Sequence, residues 1–209
     1  MAAALLGGAG AALSAGSAEA ATGCGVQISW AAWVGGQDLT CDDKVFSHSS
    51  TATLGDLALS TVSANQPLPG DFLFNLDLPT FTTNPFDFTY VASITGSPSV
   101  FSAVDLDSNG DNFANPPSIL TATYTFADGN SPIVLTSTNG SADIESVIGG
   151  PSTITVGNVY NGAGAIDSFE NSFQQTSTVP GPLPVLGAGV AFGFSRKLRR
   201  RINGARVKA

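Results

Sequence analysis

The stretch FLFNLDL, residues 72–78, alternates strictly between two faces. One face carries only large apolar side chains, namely Phe72, Phe74, Leu76 and Leu78. A period of two is that of a β-strand with one face buried and one face in water, and it does not match the 3.6-residue period of a helix. We therefore predict a half-buried strand at these positions.

The same alternation recurs along the chain. It is clear in FDFTYVASI (86–94) and ILTATYTFA (119–127), and shorter β-rich runs occur at VQISWAAW, LALSTVS, SPIVLTST, ADIESVI and STITVGNVY. Clusters of Gly, Pro, Asn, Asp and Ser bound these runs, as they bound strands. About eight to eleven strands without an amphipathic helix between them predict an all-β fold, an antiparallel β-sandwich or jelly-roll-like single domain. We expect this domain to occupy residues 22–177.

The charge of the chain is distributed very unevenly. The 209 residues carry a formal net charge of -8, with 8 Lys+Arg and 16 Asp+Glu, and seven of the eight basic residues follow residue 195. Lys44 is the only Lys or Arg before them, whereas fifteen of the sixteen Asp and Glu residues lie between residues 22 and 177. Such a domain repels phosphate groups, so we expect no nucleic acid partner.

Residues 1–21 are apolar and rich in Ala and Gly. They include Ala18-Glu19-Ala20, which fits the small-x-small pattern of a secretory cleavage site, but a basic segment is missing at the start. We interpret the segment as signal-peptide-like and expect export, with a low-complexity tract as the alternative.

Cys24 and Cys41 are the only cysteines. In an exported chain such a pair predicts one disulfide, which stabilises a loop of this length by about 3 kcal/mol. A closed zinc site needs four Cys or His ligands, and His48 is the only histidine, so no such site can form.

The end of the chain, VPGPLPVLGAGVAFGFSRKLRRRI (179–202), has three parts. Pro180 and Pro182 flank Gly181, and residues 183–194 carry no charge. As a helix this apolar run would cover about 18 Å, less than the bilayer core requires. The basic residues that follow favour a cytoplasmic location, and they are Arg196, Lys197, Arg199, Arg200 and Arg201.

This order of proline motif, short apolar helix and arginine cluster resembles the PEP-CTERM sorting signal, which exosortases recognise. Gly181 stands where the named motif has Glu, as in the variant of cyanobacterial members. The resemblance implies a sorting tail at residues 178–209, a transient membrane tether, processing by an exosortase-type enzyme, and delivery to the cell surface or an exopolysaccharide matrix. It implies no catalytic activity. An ordinary transmembrane anchor or a cationic amphipathic end is the alternative interpretation of the tail.

The stretch DLDSNGDNF spaces oxygen-bearing side chains at every second position, and these are Asp105, Asp107, Asn109 and Asp111. A calcium loop uses such spacing, and Gly110 allows the tight turn. Pro116 stands where an EF-hand has its bidentate Glu, so the hypothesis is a weaker, structural calcium site, and no cofactor is required. The other interpretation is a polar hairpin in which Asp, Asn and Gly satisfy turn geometry.

Catalytic patterns are weak. His48 lies near Ser47 and Asp42, but a triad is defined by geometry, and we expect His48 to be an exposed loop residue. The carboxylate pairs Asp105/Asp107 and Asp143/Glu145 fit the spacing that a glycosidase needs, yet acids also alternate along exposed strands. We expect no enzymatic activity.

Aromatic residues leave one further choice open. They line a carbohydrate groove if they are exposed, and they belong to the core if they are not. The residues concerned are Trp30, Trp33, Tyr90, Tyr124 and Tyr160. The main hypothesis is a non-catalytic exported protein of the cell surface or matrix with polysaccharide as a candidate partner. The alternatives are an extracellular carbohydrate-binding module and a secreted hydrolase.

Overall fold

The computed structural model describes residues 21–110, 116–147 and 149–177. The chain divides into two units, Met1–Thr176 and Ser177–Ala209, and the sandwich lies in the first. Three predictions fall outside the described residues: the signal-peptide-like segment before residue 21, Asp111 of the calcium hypothesis, and the sorting tail with its proline motif, apolar helix and basic cluster. Within the described ranges, no helix is long and apolar enough to cross a bilayer.

The described residues are mostly β-strand. In chain order the strands are β1 (Ala21–Thr22), β2 (Gln27–Ser29), β3 (Leu39–Cys41), β4 (Lys44–Thr53), β5 (Thr61–Leu68), β6 (Asp71–Thr82), β7 (Phe86–Ile94), β8 (Ser99–Gly110), β9 (Ile119–Phe126), β10 (Ile133–Thr138), β11 (Asp143–Ser146), β12 (Thr153–Tyr160) and β13 (Ile166–Ser177). One short helix, α1 (Trp30–Val34), and one 3-10 turn (Leu57–Leu59) accompany them.

The strands form two sheets that pack face to face. The seven-stranded sheet has the order β1-β3-β4-β7-β12-β9-β10, and the six-stranded sheet has the order β11-β8-β13-β6-β5-β2. The short strand β1 pairs with β3 in parallel, whereas the pairs that build the six-stranded sheet around β6 are antiparallel. The predicted all-β, antiparallel β-sandwich is therefore confirmed.

The core lies between the inward faces of the two sheets. Phe72, Phe74, Leu76 and Leu78 point into it from β6, and Phe74 stacks on Tyr90 of the other sheet with ring centroids 4.3 Å apart. All five Trp and Tyr residues are at most 3% exposed, so they are core residues and do not line a groove. Among the described aromatic residues only Phe81 is well exposed, at 55%.

A polar network crosses this core. The hydroxyl of Tyr90 donates to Oδ1 of Asn171 at 2.9 Å, and Nδ2 of Asn171 donates to the Tyr124 hydroxyl at 3.1 Å. Tyr124 in turn donates to the backbone carbonyl of Asp105 at 2.8 Å. The Tyr90 and Tyr124 hydroxyls and the Asn171 amide all have partners in this network, so the network fixes the register of the two sheets at little desolvation cost.

The sequence predicted a strand at VQISWAAW, but the structure divides this stretch between a strand and a helix. Strand β2 ends at Ser29, whose Oγ accepts a hydrogen bond from the backbone N–H of Ala32 at 3.2 Å and so caps α1. An N-cap serine followed by alanines favours a helical turn. The helix places Trp30 and Trp33 on the same side, where both are buried.

The disulfide prediction is confirmed. Cys24 and Cys41 are bonded, with their Cα atoms 4.4 Å apart. Cys41 ends β3 and is fully buried, so the bond attaches the N-terminal segment of the domain to the seven-stranded sheet.

Candidate functional site

The sequence predicted a loop or hairpin around DLDSNGDNF, and the structure has a strand there up to Gly110. Asp105, Asp107 and Asn109 alternate along the outer face of β8, while Leu106 and Ser108 point inward. Side chains two residues apart on a strand are separated by about 7 Å, so this geometry does not wrap three of them around one ion as a loop does. Across the described ranges, no group of three or more His, Cys, Asp or Glu residues is placed to hold a metal ion. Calcium binding stays a prediction, because Asp111 lies outside these ranges.

The outer face of the six-stranded sheet gathers four carboxylates, which we call the acidic cluster: Asp71, Asp105, Asp107 and Glu170. Burial raises the pKa of Glu170, and repulsion from the other three acids raises it further. Burial also raises the pKa values of Asp71 and Asp105. Oδ1 of Asp71 and Oδ1 of Asp105 are both buried without a hydrogen-bond partner. The cluster is thus polar, crowded and partly shielded from water.

A row of hydrogen-bonding side chains continues from this cluster across the sheet. Glu170 on β13 pairs with Asn75 on β6, Asn75 pairs with Ser63 on β5, and Ser63 pairs with Gln27 on β2. We call these four residues the polar row. Neighbouring strands lie about 4.8 Å apart, so the polar row places a carboxylate and two amides at regular intervals on this face. Ser63, between Asn75 and Gln27, is only 6% exposed, and its hydroxyl accepts from Nδ2 of Asn65 at 3.2 Å.

A second line of polar groups runs beside the polar row. Ser168 pairs with Asp77, and Asp77 pairs with Thr61. Nε2 of Gln27 donates to Oγ1 of Thr61 at 2.7 Å and to Oδ2 of Asp77 at 3.1 Å, which holds the end of the polar row in place. The outer face is therefore an ordered grid of donors and acceptors.

A cavity of about 300 Å³ opens where β8 meets β13. Its polar lining includes Asp107, Asn109, Ser168 and Glu170. The cavity therefore joins the acidic cluster to the start of the polar row. Such a concave site with several convergent polar groups is suited to a small polar ligand or to one unit of a polymer.

The second carboxylate pair does not form a shared site. Oδ2 of Asp143 accepts the backbone N–H of Thr136 at 3.0 Å, on the open edge of β10. Glu145 instead lines another cavity of about 350 Å³ with Phe126 and Ile133. Asp143 thus protects an edge strand, while Glu145 faces a more apolar hollow.

The sequence predicted that His48 is an exposed loop residue, and this prediction is wrong. It lies in β4 with its ring 5.8 Å and 5.3 Å from the ring centroids of Trp30 and Trp33. Its Nε2 is 2.9 Å from Oγ1 of Thr51, and burial lowers its pKa. These contacts do not assemble a Ser-His-Asp triad.

Sequence reasoning identified the β8 residues but missed Asp71 of the acidic cluster and all four residues of the polar row. The signal for Glu170 was present in SFENSFQQ, where Phe169, Asn171 and Phe173 alternate with polar residues and all three are buried. Ser63, Asn75 and Gln27 carry no local signal, because only the pairing of β6, β5 and β2 aligns them.

Comparisons with known proteins give likenesses of fold. No protein-family model and no curated protein matches the chain. A carbohydrate-binding module studied for specific mannan recognition is similar over 64% of this chain and 89% of its own, with 11% identity and a TM-score of 0.36. A family 11 carbohydrate-binding module from Clostridium thermocellum covers 66% of this chain and 90% of its own, with 10% identity and a TM-score of 0.28.

An enzyme is also among the similar structures. Peruvianin-I, a cysteine peptidase from Thevetia peruviana latex, covers 65% of this chain and 69% of its own, with 19% identity and a TM-score of 0.32. All of these TM-scores are below 0.5, so the function of this chain has to be argued from its own residues.

Proposed function

We propose that this chain is an extracellular carbohydrate-binding module that binds a polysaccharide along the outer face of its six-stranded sheet. The observation that supports this function best is the polar row of Gln27, Ser63, Asn75 and Glu170, which crosses four strands and leads to the cavity at β8 and β13. Sugar hydroxyls donate and accept, a carboxylate accepts from them, and a side-chain amide does both.

The charge of this face selects the class of polysaccharide. Within the described ranges the acidic cluster has no basic neighbour, because Lys44 is the only Lys or Arg there and its Nζ bonds Asp43 and Gln175. Like charges repel across an interface, so the ligand is a neutral glycan and a polyuronate is excluded. Since all five Trp and Tyr residues are core residues and Phe81 is the one well-exposed ring among the described residues, affinity comes mainly from hydrogen bonds and not from stacking on rings.

Affinity electrophoresis of the full chain in gels that contain neutral polysaccharides tests this function. We expect retardation by at least one neutral glycan and none by a polyuronate. In the double variant Glu170→Ala/Asn75→Ala, the loss of two hydrogen-bonding side chains should weaken binding about tenfold or more. Asp87→Ala, on β7 in the other sheet, removes one carboxylate and should leave binding unchanged. Equal binding by both variants would place the ligand elsewhere.

We also propose that the module is non-catalytic. Incubation with the bound glycan should release no new reducing ends, and release that Glu170→Gln abolishes would instead make the acidic cluster a glycosidase site.

The delivery of this module is a separate proposal that the tail sequence supports. We propose that residues 178–209 act as a PEP-CTERM-like sorting signal that brings the domain to the cell surface or matrix, with a transient membrane tether that an exosortase-type enzyme removes. The intact mass of the protein recovered from outside its native host tests this. A species that lacks everything after the Pro180 region supports processing, whereas a species that retains residues 196–209 contradicts it.

A further inference from the structure

Lys44 is buried in an unusual place for a lysine. It begins β4 on the inward face of the seven-stranded sheet, and its side chain is fully buried. Its Nζ lies 4.0 Å from the ring centroid of Phe72 and 5.9 Å from that of Phe101, both on the opposite sheet. Lysines are almost never fully buried unless they are paired, so the partners of this amine explain its position.

Two side chains contact the amine. Lys44 Nζ donates to Oδ1 of Asp43 and to Oε1 of Gln175. Gln175 lies 131 positions further along the chain, near the end of β13 in the six-stranded sheet. An amine, a carboxamide and a carboxylate thus meet beside two aromatic rings, where water is scarce.

Backbone hydrogen bonds hold both partners in place. The carbonyl of Asp43 accepts the N–H of Thr95 at 2.8 Å, and the N–H of Gln175 donates to the carbonyl of Gly70 at 2.9 Å. The three groups are therefore supplied by β4 and its preceding turn and by β13, and their contact does not depend on a freely rotating surface side chain. Such fixed proximity lowers the barrier of a reaction between the groups.

We propose that Lys44 and Gln175 form an intramolecular isopeptide bond, with Asp43 as the proton carrier. The proposal is independent of glycan binding, because the three residues lie at the core and not on the outer face.

The reaction needs no co-reactant. The neutral amine of Lys44 attacks Cδ of Gln175, a new C–N bond forms, and the Cδ–Nε2 bond breaks. The Asp43 carboxylate takes a proton from Nζ and gives it to the leaving nitrogen, which departs as ammonia. Burial lowers the pKa of Lys44, against the opposing effect of Asp43 and Asp42, and a larger share of neutral amine makes the nucleophile stronger.

The product would connect the two sheets covalently. Lys44 pairs with Cys41 across the β3–β4 hairpin, so the bond would lie next to the Cys24–Cys41 disulfide. The two cross-links would together tie the first strands of the domain to the last strand.

Peptide mapping of the full chain tests the bond directly. A protease that cuts after Glu cleaves at positions 19, 145 and 170, which separates Lys44 in peptide 20–145 from Gln175 in peptide 171–209. After denaturation, reduction and digestion, we expect these two peptides to remain joined, with the mass of one ammonia molecule lost, while 146–170 is released. Ring closure at an Asn-Gly step such as Asn139–Gly140 also loses ammonia, but it cannot join two peptides. Separate, unmodified peptides from the folded wild-type protein would overturn the proposal.

Variants test the role of each group. Lys44→Arg and Gln175→Leu should give separate peptides only. Asp43→Asn should slow formation of the joined peptide at least tenfold, because the proton carrier is lost. Asp42→Asn is the matched control in the same turn, and Asn tolerates the positive φ of 55° at this position. It should form the joined peptide at the wild-type rate or faster, because Asp42 raises the pKa of Lys44 and its loss leaves more neutral amine. Equal rates for the Asp43 and Asp42 variants would contradict the role of Asp43.

Discussion

Asn171 is the residue on which the buried polar network depends. Its amide accepts from Tyr90 and donates to Tyr124, and all three side chains are fully buried. The sequence indicated that the tyrosines alternate into a core, because each lies in a run of period two. It gave no sign that an asparagine would join them, since that contact links β7 and β9 of one sheet to β13 of the other.

We predict that Asn171→Leu lowers the free energy of unfolding by about 2 kcal/mol or more, because it leaves a buried Tyr hydroxyl without its acceptor. Urea denaturation measures the change. Gln174→Ala, at an exposed position on the same strand, is the control and should stay within about 0.5 kcal/mol of the wild type. A stable Asn171→Leu protein would show that the network contributes nothing to stability.

The burial of His48 should make the stability of the folded protein depend on pH. Burial lowers its pKa in the folded state, so the unfolded chain binds a proton more readily than the folded chain. Stability should therefore fall as the pH decreases through about 6.5, the usual value for histidine. Urea midpoints between about pH 7.5 and 5.5 measure the slope, which His48→Gln should flatten. The same slope in both proteins would rule out His48 as its source.

At the scale of elements, the strands that sequence reasoning found carry a clear β-rich run, even where one inward position is polar, as with Ser137 in β10 and Asn158 in β12. FDFTYVASI coincides with β7, which runs from Phe86 to Ile94. Strands β4, β8 and β13 were missed in whole or in part, and their inward faces include Lys44, Ser108 and Asn171. The polar partners that make these residues stable inside a core belong to other strands, so they leave no local signal.

The acidic cluster on β8, β13 and β6 should reduce stability at neutral pH. The pKa of Glu170 is raised in the folded state, so the stabilising protonated form is present below about pH 4 and is lost as the pH rises through the folded value. We predict that Glu170→Gln raises the urea midpoint at pH 7 and has little effect at about pH 3.5. Glu145→Gln, at an exposed position, is the control. A lower midpoint for Glu170→Gln at pH 7 would contradict mutual repulsion in the cluster.

At the scale of the whole molecule, the sandwich closes around one core and the disulfide secures its N-terminal edge. Cys24 and Cys41 could be paired from the sequence because no other cysteine competes. The candidate site could be predicted only in part: Asp105, Asp107 and Asn109 were visible as an alternating run, but the remaining groups come together through sheet order. The fold class can thus be predicted from local sequence patterns, whereas the site depends on which strands pair with one another.

Reduction of the disulfide should lower the melting temperature of the protein. The bond restricts the unfolded chain over a separation of 17 residues, and its loss should cost about 3 kcal/mol. Differential scanning calorimetry with and without dithiothreitol measures this effect. The Cys24→Ser/Cys41→Ser variant should melt at the lower temperature in both buffers, and a further drop in this variant on reduction would assign the effect to another cause.

The most direct test of the central claim is amide hydrogen exchange of the full chain with and without a neutral glycan that retards it in electrophoresis. The account predicts new protection in β13, β6 and β5 and around the cavity at β8, where the polar row and the acidic cluster lie. Protection confined to the outer face of the seven-stranded sheet, or to the cavity beside Glu145, would contradict a binding face on the six-stranded sheet.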